Sequence, residues 1–447
     1  MNDTIAAIST PLGQGAIALL RMSGPQAVTI TDEIFRGKLR AADLPSRVQQ
    51  YGRIFDGDRK LDDVLLSVHR APTSYTGEDV VEIACHGGVL ITRRILDLLL
   101  RKGAQSANPG EFTQRAYLHG KLDLTQAEAV MDLITAQTDL ALRAASEQLE
   151  GRLGARIRDV RERLIGLLAH VEAYIDFPDE DIDPETGDAL LARIDAVAHE
   201  LQALLGTAGR GKLLREGVRT VICGAPNVGK SSLLNRLLGE ERAIVSATPG
   251  TTRDTIEEVI SLRGLPLRLI DTAGLRETAD EVEAAGIERT HRQLARADFA
   301  LHVVDASRAR NEVVELPADE LPSLHLLILN KIDLGEHPSW RETEGVRLSC
   351  IQGNGLDALF DAITERIVGG DGTAQDWSIA INARHQAALE KGRDYCGAAR
   401  AALVDGLSPE FVAEELRACL DSVGEVVGRA DSEDILDKIF SSFCIGK

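Results

Sequence analysis

Positive charge is scarce in this chain. Its 447 residues carry 50 Lys and Arg against 70 Asp and Glu, a formal net charge of −20 at pH 7. That average field would repel a duplex or a folded RNA, which argues against indiscriminate nucleic-acid binding. Any RNA contact must therefore be local or assisted by a partner.

Paired cysteines and long apolar runs are also missing. The six cysteines form no C-x-x-C pair, which argues against a zinc site or a disulfide framework and predicts mostly buried, reduced thiols. No apolar run approaches a membrane span, and the first residues have neither the basic flank nor the apolar core of a signal peptide. We therefore expect a cytoplasmic protein without membrane contact.

A glycine-rich turn in the middle of the chain has the spacing G-x-x-x-x-G-K-[ST]. It reads G-A-P-N-V-G-K-S-S and follows an apolar run. Its glycines let backbone N–H groups converge on phosphate oxygens, Lys230 adds charge at the β- and γ-phosphates, and the Ser231 hydroxyl meets Mg²⁺. The turn predicts a nucleoside triphosphate site formed by Gly224, Asn227, Val228, Gly229, Lys230, Ser231 and Ser232.

Three later motifs favour guanine as the base. In D-T-A-G a carboxylate can reach Mg²⁺ through water, and the glycine amide can sense the γ-phosphate. In N-K-I-D the Asp carboxylate can accept hydrogen bonds from N1–H and the amine of guanine, which adenine does not offer as a pair. The S-C pair matches a loop whose backbone amide contacts the guanine oxygen. The predicted contacts are Asp271, Thr272, Ala273, Gly274, Asn330, Lys331, Asp333, Ser349 and Cys350.

The water-orienting Gln of many regulatory GTPases is absent. Leu275 follows D-T-A-G, and an aliphatic side chain cannot orient water. Hydrolysis then needs a nearby carboxylate, with an arginine or a bound monovalent cation to offset charge. Glu277, Glu281 and Glu283 remain alternatives for the carboxylate. The hydroxyl-rich segment 246–254 is the expected switch, with Thr252 slightly favoured over Thr251 as the second Mg²⁺ hydroxyl.

Hydrophobic spacing in the first half predicts an α+β unit followed by long helices. Residues 1–120 mix strand-like runs at Ile17 to Arg21 and Val80 to Ala84 with a helical run at Val89 to Arg101. Apolar residues from Leu153 to Tyr174 recur at alternating spacings of four and three, which predicts the core face of a long helix. A second helix should end at Leu205, and a Gly- and Arg-rich segment at 206–217 is the expected boundary.

The second half alternates strand-like and helical segments, which predicts a doubly wound, mostly parallel sheet. The second and third runs should form a hairpin, and residues 379–447 should be helical, with Ser408-Pro409 beginning one helix. The predicted class is α/β and α multidomain. It comprises an N-terminal domain at 1–120, a helical domain split between 121–215 and 376–447, and a P-loop GTPase domain inserted at 216–375. The strand-like runs are Val218 to Cys223, Thr255 to Leu262, Leu267 to Ile270, Phe299 to Val304, Leu324 to Leu329 and Val346 to Ser349.

The whole chain resembles the MnmE (TrmE) family of tRNA-modification GTPases. The similar segments are S-Y-T-G-E-D at 74–79, E-I-A-C-H-G-G at 82–88, P-G-E-F at 109–112, K-L-D-L at 121–124 and the terminal F-C-I-G-K. The resemblance implies a homodimer through N-terminal domains that bind 5-formyl- or 5,10-methylene-tetrahydrofolate. The positions that match the family's folate contacts are Arg21, Glu82, Lys121 and Lys447. Cys444 matches a cysteine important to the modification.

The same resemblance implies potassium-assisted hydrolysis. K⁺ would replace an arginine finger and drive dimerisation of the GTPase domains, and Glu283 would orient the water. The partner would be an MnmG-like, FAD-dependent protein in a heterotetramer or larger assembly. The joint product would be an aminomethyl-type (carboxymethylaminomethyl) group at C5 of the wobble uridine of certain tRNAs. The implied K⁺ ligands are Asn227, Ser246, Thr248 and Thr251.

Two other interpretations stay open. A ribosome-assembly GTPase can also lack the Gln, but such proteins usually append an RNA-binding module, whereas the flanks in this chain are helical and acidic. A nucleotide-gated scaffold would hydrolyse GTP only incidentally. Replacing K⁺ by Na⁺ distinguishes the cation-assisted mechanism, because that mechanism requires turnover to fall.

Overall fold

The computed structural model describes residues 3–176, 187–240, 258–270, 294–313, 321–369, 377, 379–428, 436 and 439–447. The chain divides into two compact units. The first comprises Met1–Met131 and Gly424–Lys447, and the second comprises Asp132–Val423. Within the described ranges, no helix is both long and apolar enough to cross a membrane.

The first unit is built on a seven-stranded mixed sheet in the order β3-β4-β5-β6-β2-β1-β7. Strands β1 and β7 run parallel, and the other neighbouring strands run antiparallel. The α+β prediction for this region is confirmed. The strands are β1 (Ile5–Ile8), β2 (Ile17–Ser23), β3 (Phe35–Gly37), β4 (Gln49–Asp56), β5 (Arg59–His69), β6 (Val80–His86) and β7 (Gln105–Ser106).

Side-chain alternation gives this sheet two different faces. Leu20 and Met22 are buried in a core that includes residues of α1 (Ala27–Ile34) and α2 (Val89–Arg101). Because successive residues of a strand point to opposite faces, Arg21 lies on the other side of the sheet. The remaining helices of this region are α3 (Glu111–Leu118) and α4 (Leu124–Thr135).

The last residues of the chain are not helical, so the prediction of helix through Lys447 is wrong at its end. Ile445 instead forms an isolated antiparallel bridge with Pro109. Gly446 has a φ of +96°, and a Cβ there would lie 2.7 Å from the Ile8 carbonyl oxygen. A helix cannot continue through that conformation, and the glycine instead lets the tail approach the backbone at the end of β1.

The second unit contains the long helices. The core face predicted from Leu153 onward is confirmed through Val171, where every predicted position is buried. The predicted core face is wrong at Tyr174, which is 43% exposed near the end of the helix Arg152–Asp176. The predicted helix end at Leu205 and helix start at Pro409 are confirmed. The helices are α5 (Asp139–Leu149), α6 (Arg152–Asp176), α7 (Gly187–Leu205), α8 (Ala208–Glu216), α9 (Lys230–Glu240), α10 (Leu356–Val368), α11 (Ala383–Val404) and α12 (Pro409–Val427).

The Gly- and Arg-rich segment expected as a boundary forms α8. Gly211 is buried in it, and a Cβ there would lie 2.2 Å from the Ile381 carbonyl oxygen. This glycine therefore permits a close approach between helix and backbone.

A six-stranded sheet forms the centre of the second unit, in the order β13-β12-β11-β8-β10-β9. Neighbours are parallel except for the β9–β10 hairpin. The predicted mostly parallel sheet and its hairpin are confirmed. Parallel strands bring their carboxyl ends to one edge, where ligands bind in such sheets. The strands are β8 (Val218–Cys223), β9 (Glu258–Leu262), β10 (Leu265–Leu269), β11 (Phe299–Asp305), β12 (Leu324–Asn330) and β13 (Val346–Leu348).

Candidate functional site

The glycine-rich turn leads from the carboxyl end of β8 into α9. Gly224 and Gly229 have φ angles of +136° and +106°. A Cβ on Gly224 would lie 2.1 Å from the Val303 carbonyl oxygen, and one on Gly229 would lie 2.2 Å from Asn330 Nδ2. Both positions therefore require glycine, and the turn presents its backbone at a helix N-terminus, an arrangement that suits an anion.

Lys230 lies against the turn that precedes it. Its Nζ donates to the carbonyl oxygens of Gly224 at 2.8 Å and Ala225 at 2.7 Å. Burial lowers the pKa of this ammonium from its usual value. Ser231 and Ser232 follow with exposed side chains in the first turn of α9. A cation and two hydroxyls thus flank the turn at the positions that the motif requires.

Asn227 has an unusual backbone conformation within this turn. Its φ is +61°, in the left-handed region that Asn tolerates better than most residues. The residue is exposed, while its neighbour Val228 is buried. Asn227 is therefore accessible from solvent.

The Asn330 side chain joins two loops at the carboxyl edge of the sheet. Its Nδ2 donates to the Val228 carbonyl oxygen at 2.8 Å, and its Oδ1 accepts from the Cys350 amide at 3.2 Å. Asn330 itself is 2% exposed. A residue predicted to contact the nucleotide thus also fixes the phosphate turn against the S-C loop.

Lys331 and Asp333 follow Asn330 along the chain. Lys331 has a φ of +66°, and its Nζ donates to Asp305 Oδ2 at 2.7 Å. Burial alone would raise the pKa of Asp305, but the bonds from Lys331 and Ser307 outweigh it and leave that pKa lowered. Asp333 is half-buried in the short 3₁₀ turn Ile332–Leu334.

The S-C pair lies in a closed turn after β13. Ser349 is fully buried, and its Oγ accepts from the Gln352 amide at 3.1 Å. Cys350 is also buried, and desolvation raises the pKa of its thiol to about 11. The thiol is therefore neutral at pH 7, so Cys serves as a small apolar residue at this position.

Sequence reasoning missed Arg236, which contacts the same turn from α9. Its Nε donates to the Cys350 carbonyl oxygen at 3.0 Å, and its Nη2 donates to that of Ile351 at 2.8 Å. The sequence offered no signal for this contact.

Several predicted site residues lie outside the described residues, and their roles remain predictions. These are the D-T-A-G residues, Leu275, the candidate carboxylates and the hydroxyl segment. They comprise Asp271, Thr272, Ala273, Gly274, Leu275, Glu277, Glu281, Glu283, Ser246, Thr248, Thr251 and Thr252.

A second cluster of predicted residues lies in the first unit. Arg21 on β2 stands directly opposite Glu82 on β6, and Ser67 on β5 stands opposite Glu82 on its other side. Arg21 Nε and Nη2 both donate to Glu82 Oε1, at 2.9 and 2.7 Å. His69 Nε2 lies 3.8 Å from Glu82 Oε2. The row thus combines a guanidinium, a carboxylate, a hydroxyl and an imidazole on one face of the sheet.

Two aromatic rings lie beside this ion pair. The Arg21 guanidinium carbon is 5.5 Å from the centre of the Tyr75 ring and 5.8 Å from that of Phe112. Tyr75 shares a hydrogen bond with Thr113, and burial raises the pKa of its hydroxyl. The rings, Ser67 and His69 were missed because they come from separate segments.

The two predicted lysines are held elsewhere in the first unit. Lys121 Nζ donates to the Pro72 carbonyl oxygen at 2.9 Å. Lys447 is half-buried at the end of the tail. The tail is anchored just before it, because Ser9 Oγ donates to the Gly446 carbonyl oxygen at 3.1 Å. Among the described contacts, Arg21 and Glu82 are hydrogen-bonded to each other, and neither lysine is hydrogen-bonded to them.

Cys444 is the exposed member of an otherwise buried set of free cysteines. The other five are buried, as predicted. The Cys444 carbonyl oxygen accepts from the Gly110 amide at 3.4 Å. The prediction of mostly buried thiols is therefore confirmed for five cysteines, and Cys444 is the exception.

Comparison with known proteins covers nearly the whole chain. The family model described as GTP-binding protein TrmE N-terminus matches residues 4–121, and the one described as MnmE helical domain matches residues 124–444. The chain is 51% identical to the tRNA modification GTPase MnmE of Akkermansia muciniphila, over 99% of each chain. It is 46% identical to that of Moorella thermoacetica, over 100% of each, and 45% identical to that of Geobacillus kaustophilus, over 100% of this chain and 99% of the relative.

Proposed function

The chain belongs to the family of MnmE tRNA modification GTPases, and we propose on that premise that it modifies the wobble uridine of certain tRNAs. It is a GTPase. With an MnmG-like, FAD-dependent partner it installs a carboxymethylaminomethyl-type group at C5, using a one-carbon tetrahydrofolate.

The observation that supports the GTP site is the meeting of three separated segments at one edge of the parallel sheet. The glycine turn, the N-K-I-D motif and the S-C loop are linked there by the Asn330 amide. In this proposal Asp333 accepts hydrogen bonds from guanine, and loop amides donate to the guanine oxygen. Lys230 then shifts from the turn's carbonyl oxygens to phosphate oxygens.

The residues around the turn fit two cations. The Ser231 hydroxyl stands at the start of α9, where Mg²⁺ is held in such sites, and Thr252 is the second proposed Mg²⁺ hydroxyl. Asn227 is exposed, which suits a K⁺ ligand beside a second GTPase domain. Bound cations would supply charge that offsets the developing negative charge on phosphate. Ser246, Thr248 and Thr251 complete the proposed K⁺ set, and Glu283 orients water.

The cluster around Arg21 supports the proposed folate site. Arg21 uses only Oε1 of Glu82, so Oε2 can accept from a pterin N–H group. The partly buried Tyr75 ring provides an apolar border for a flat heterocycle, and the buried Phe112 ring supports Arg21 from the core. In this proposal Lys121 and Lys447 bind carboxylates of the folate, and exposed Cys444 takes part in the modification.

Exposed apolar side chains support the proposed homodimer. Ile17 and Leu90 in the first unit are 65% and 67% exposed, and a bond from the Gly15 amide to the Gly87 carbonyl oxygen at 2.8 Å brings their segments together. Large apolar side chains grouped on a surface are typical of association sites. We expect the N-terminal domains to meet there.

The proposal is tested by mass spectrometry of tRNA nucleosides from a strain without this protein. We expect the carboxymethylaminomethyl-type uridines to disappear and to return with the wild-type gene. A Cys444→Ser gene should fail to restore them, while a control gene carrying Cys396→Ser should restore them if its product accumulates. Normal wobble uridines in the deletion strain would overturn the assignment and favour a ribosome-assembly or scaffold role.

A further inference from the structure

Arg236 ties the helix that follows the phosphate turn to the loop assigned to the base. Its two donor groups bind consecutive carbonyl oxygens, those of Cys350 and Ile351, at 3.0 and 2.8 Å. We infer that Arg236 is a positioning residue for guanine recognition, acting on the loop and not on the nucleotide. This inference rests on the proposed guanine site.

The geometry of the peptide group means that the bond from Arg236 to the Cys350 carbonyl oxygen also orients the next amide. The C=O and N–H groups of a trans peptide point in opposite directions in one plane. Fixing the Cys350 carbonyl group therefore fixes the direction of the Ile351 amide. The Cys350 amide is already held by Asn330 Oδ1 at 3.2 Å. Together Asn330 and Arg236 set both peptide groups that flank Cys350.

Arg236 adds an external contact to a loop that is closed by its own backbone bonds, from the Gly353 amide to the Ser349 carbonyl oxygen at 2.8 Å and from the Ser349 amide to that of Asn354 at 3.0 Å. Gly353 and Gly355 have φ angles of +82° and +88°, conformations available mainly to glycine. The Ile351 side chain is 76% exposed and contributes little packing. Ser349 Oγ holds the Gln352 amide within the loop, whereas the Arg236 side chain reaches the outer part of the loop from α9.

Arginine suits this task better than lysine. The guanidinium is planar and presents its N–H groups in a fixed fork, so it can hold two carbonyl groups at a set separation. A lysine ammonium could reach one carbonyl oxygen but would not define the orientation of the second peptide. Arg236→Lys should therefore restore only part of the function of the loop.

The test compares three nucleotides on the full-length protein. GDP is the reference, inosine diphosphate lacks the amine expected to reach Asp333, and 6-thioguanosine diphosphate replaces only the guanine oxygen with a larger, weaker acceptor. We expect wild type to prefer GDP over both analogues. In Arg236→Ala the preference over the thio analogue should fall about tenfold, the effect of one hydrogen bond, while the preference over inosine diphosphate persists.

Arg219→Ala is the matched control. Arg219 lies in the same unit, and its guanidinium pairs with Asp298 at 3.0 Å on the surface, so both preferences should remain. In Arg236→Lys, a preference for GDP over the thio analogue that lies between those of wild type and Arg236→Ala would support the inference that Arg236 holds two carbonyl groups. If Arg236→Ala does not fold, an unchanged thio preference in Arg236→Lys overturns the inference.

The outcomes distinguish a failure of the proposed guanine site from a failure of the role of Arg236. A wild-type protein that binds GDP and the thio analogue equally would overturn the proposed role of the loop in guanine binding. A wild-type preference that survives in Arg236→Ala would overturn only the role of Arg236. If Arg236→Ala bound all three nucleotides more weakly by the same factor, Arg236 would contribute only to general packing. That result would also overturn its positioning role.

Discussion

The nucleotide site and the proposed folate site are built from different parts of the polypeptide. The phosphate-binding part of the first depends on backbone geometry within one continuous turn, where Gly224 and Gly229 allow approaches that a Cβ would prevent. The second depends on side chains that strand pairing brings together, with Arg21 opposite Glu82. A backbone site is destroyed by adding an atom, whereas a side-chain site is destroyed by removing one.

The largest effect should separate binding from hydrolysis within the nucleotide site. We expect Glu283→Ala to lower kcat for GTP by about 10²- to 10⁴-fold, because a water-orienting group is lost, with GTP affinity retained. Phosphate release and fluorescent-GTP binding measure the two quantities. Glu277→Ala and Glu281→Ala are matched controls that should stay active, and full activity of Glu283→Ala would move the role elsewhere.

Adding one methyl group should break the backbone site. In Gly229→Ala the new Cβ would lie 2.2 Å from Asn330 Nδ2 at a positive φ, so we expect GTP affinity to fall about 100-fold. Gly239→Ala is the control, since a Cβ at that position of α9 meets no atom within 4 Å. Equal GTP affinity in the two variants would refute the backbone account.

Removing one side chain should break the other site alone. We expect Arg21→Ala to weaken 5-formyl-tetrahydrofolate binding about 10- to 100-fold, the range for losing a charged hydrogen bond, without changing GTP affinity. Titration calorimetry measures both. Arg53→Ala removes a more exposed Arg from the same sheet, paired with Asp63, and should leave folate binding intact. Unchanged folate affinity in Arg21→Ala would refute the proposed pocket.

Exchanging the monovalent cation should affect only the nucleotide site. We expect turnover of GTP to fall roughly tenfold or more when Na⁺ replaces K⁺ at constant ionic strength, because charge compensation at the transition state is lost. Folate affinity in the same buffers serves as the internal control. Turnover that does not change would exclude cation-assisted hydrolysis.

The smallest effect concerns an ion pair beside the nucleotide site. The pKa of Asp305 is lowered, so its pairing with Lys331 stabilises the folded state above the usual Asp range and is lost as pH falls through the folded pKa. We expect Lys331→Met to be about 1 kcal/mol less stable than wild type at pH 7. The difference should shrink near pH 3, as measured by urea unfolding. A constant difference would show that charge is not its cause.

The sequence predicted the strands and the glycine turn of the second unit well because their signals are local. The strand Val218–Cys223 was predicted with its observed ends although Arg219 is exposed, because the glycine turn that follows directly marks where the strand ends. The glycine turn was equally recognisable, because its chemistry depends on spacing within one segment.

The first unit was harder because its signals are non-local or weak. Strands β4 and β5 were missed, although Gly57, with a φ of +60°, marks the hairpin turn between them. Their alternating charged and apolar residues give a weaker pattern than a buried run. The pairing of Arg21 with Glu82 depends on strand register, and no spacing rule predicts register between distant segments.

The anchored tail has a consequence for synthesis. The bond from Ser9 to the Gly446 carbonyl oxygen spans 437 positions of the chain. A ribosome therefore releases every residue of the second unit before this contact of the first can form, and domains generally fold as they emerge. The first unit is therefore the first to be synthesised, but its contacts with the tail form only after the second unit has been made.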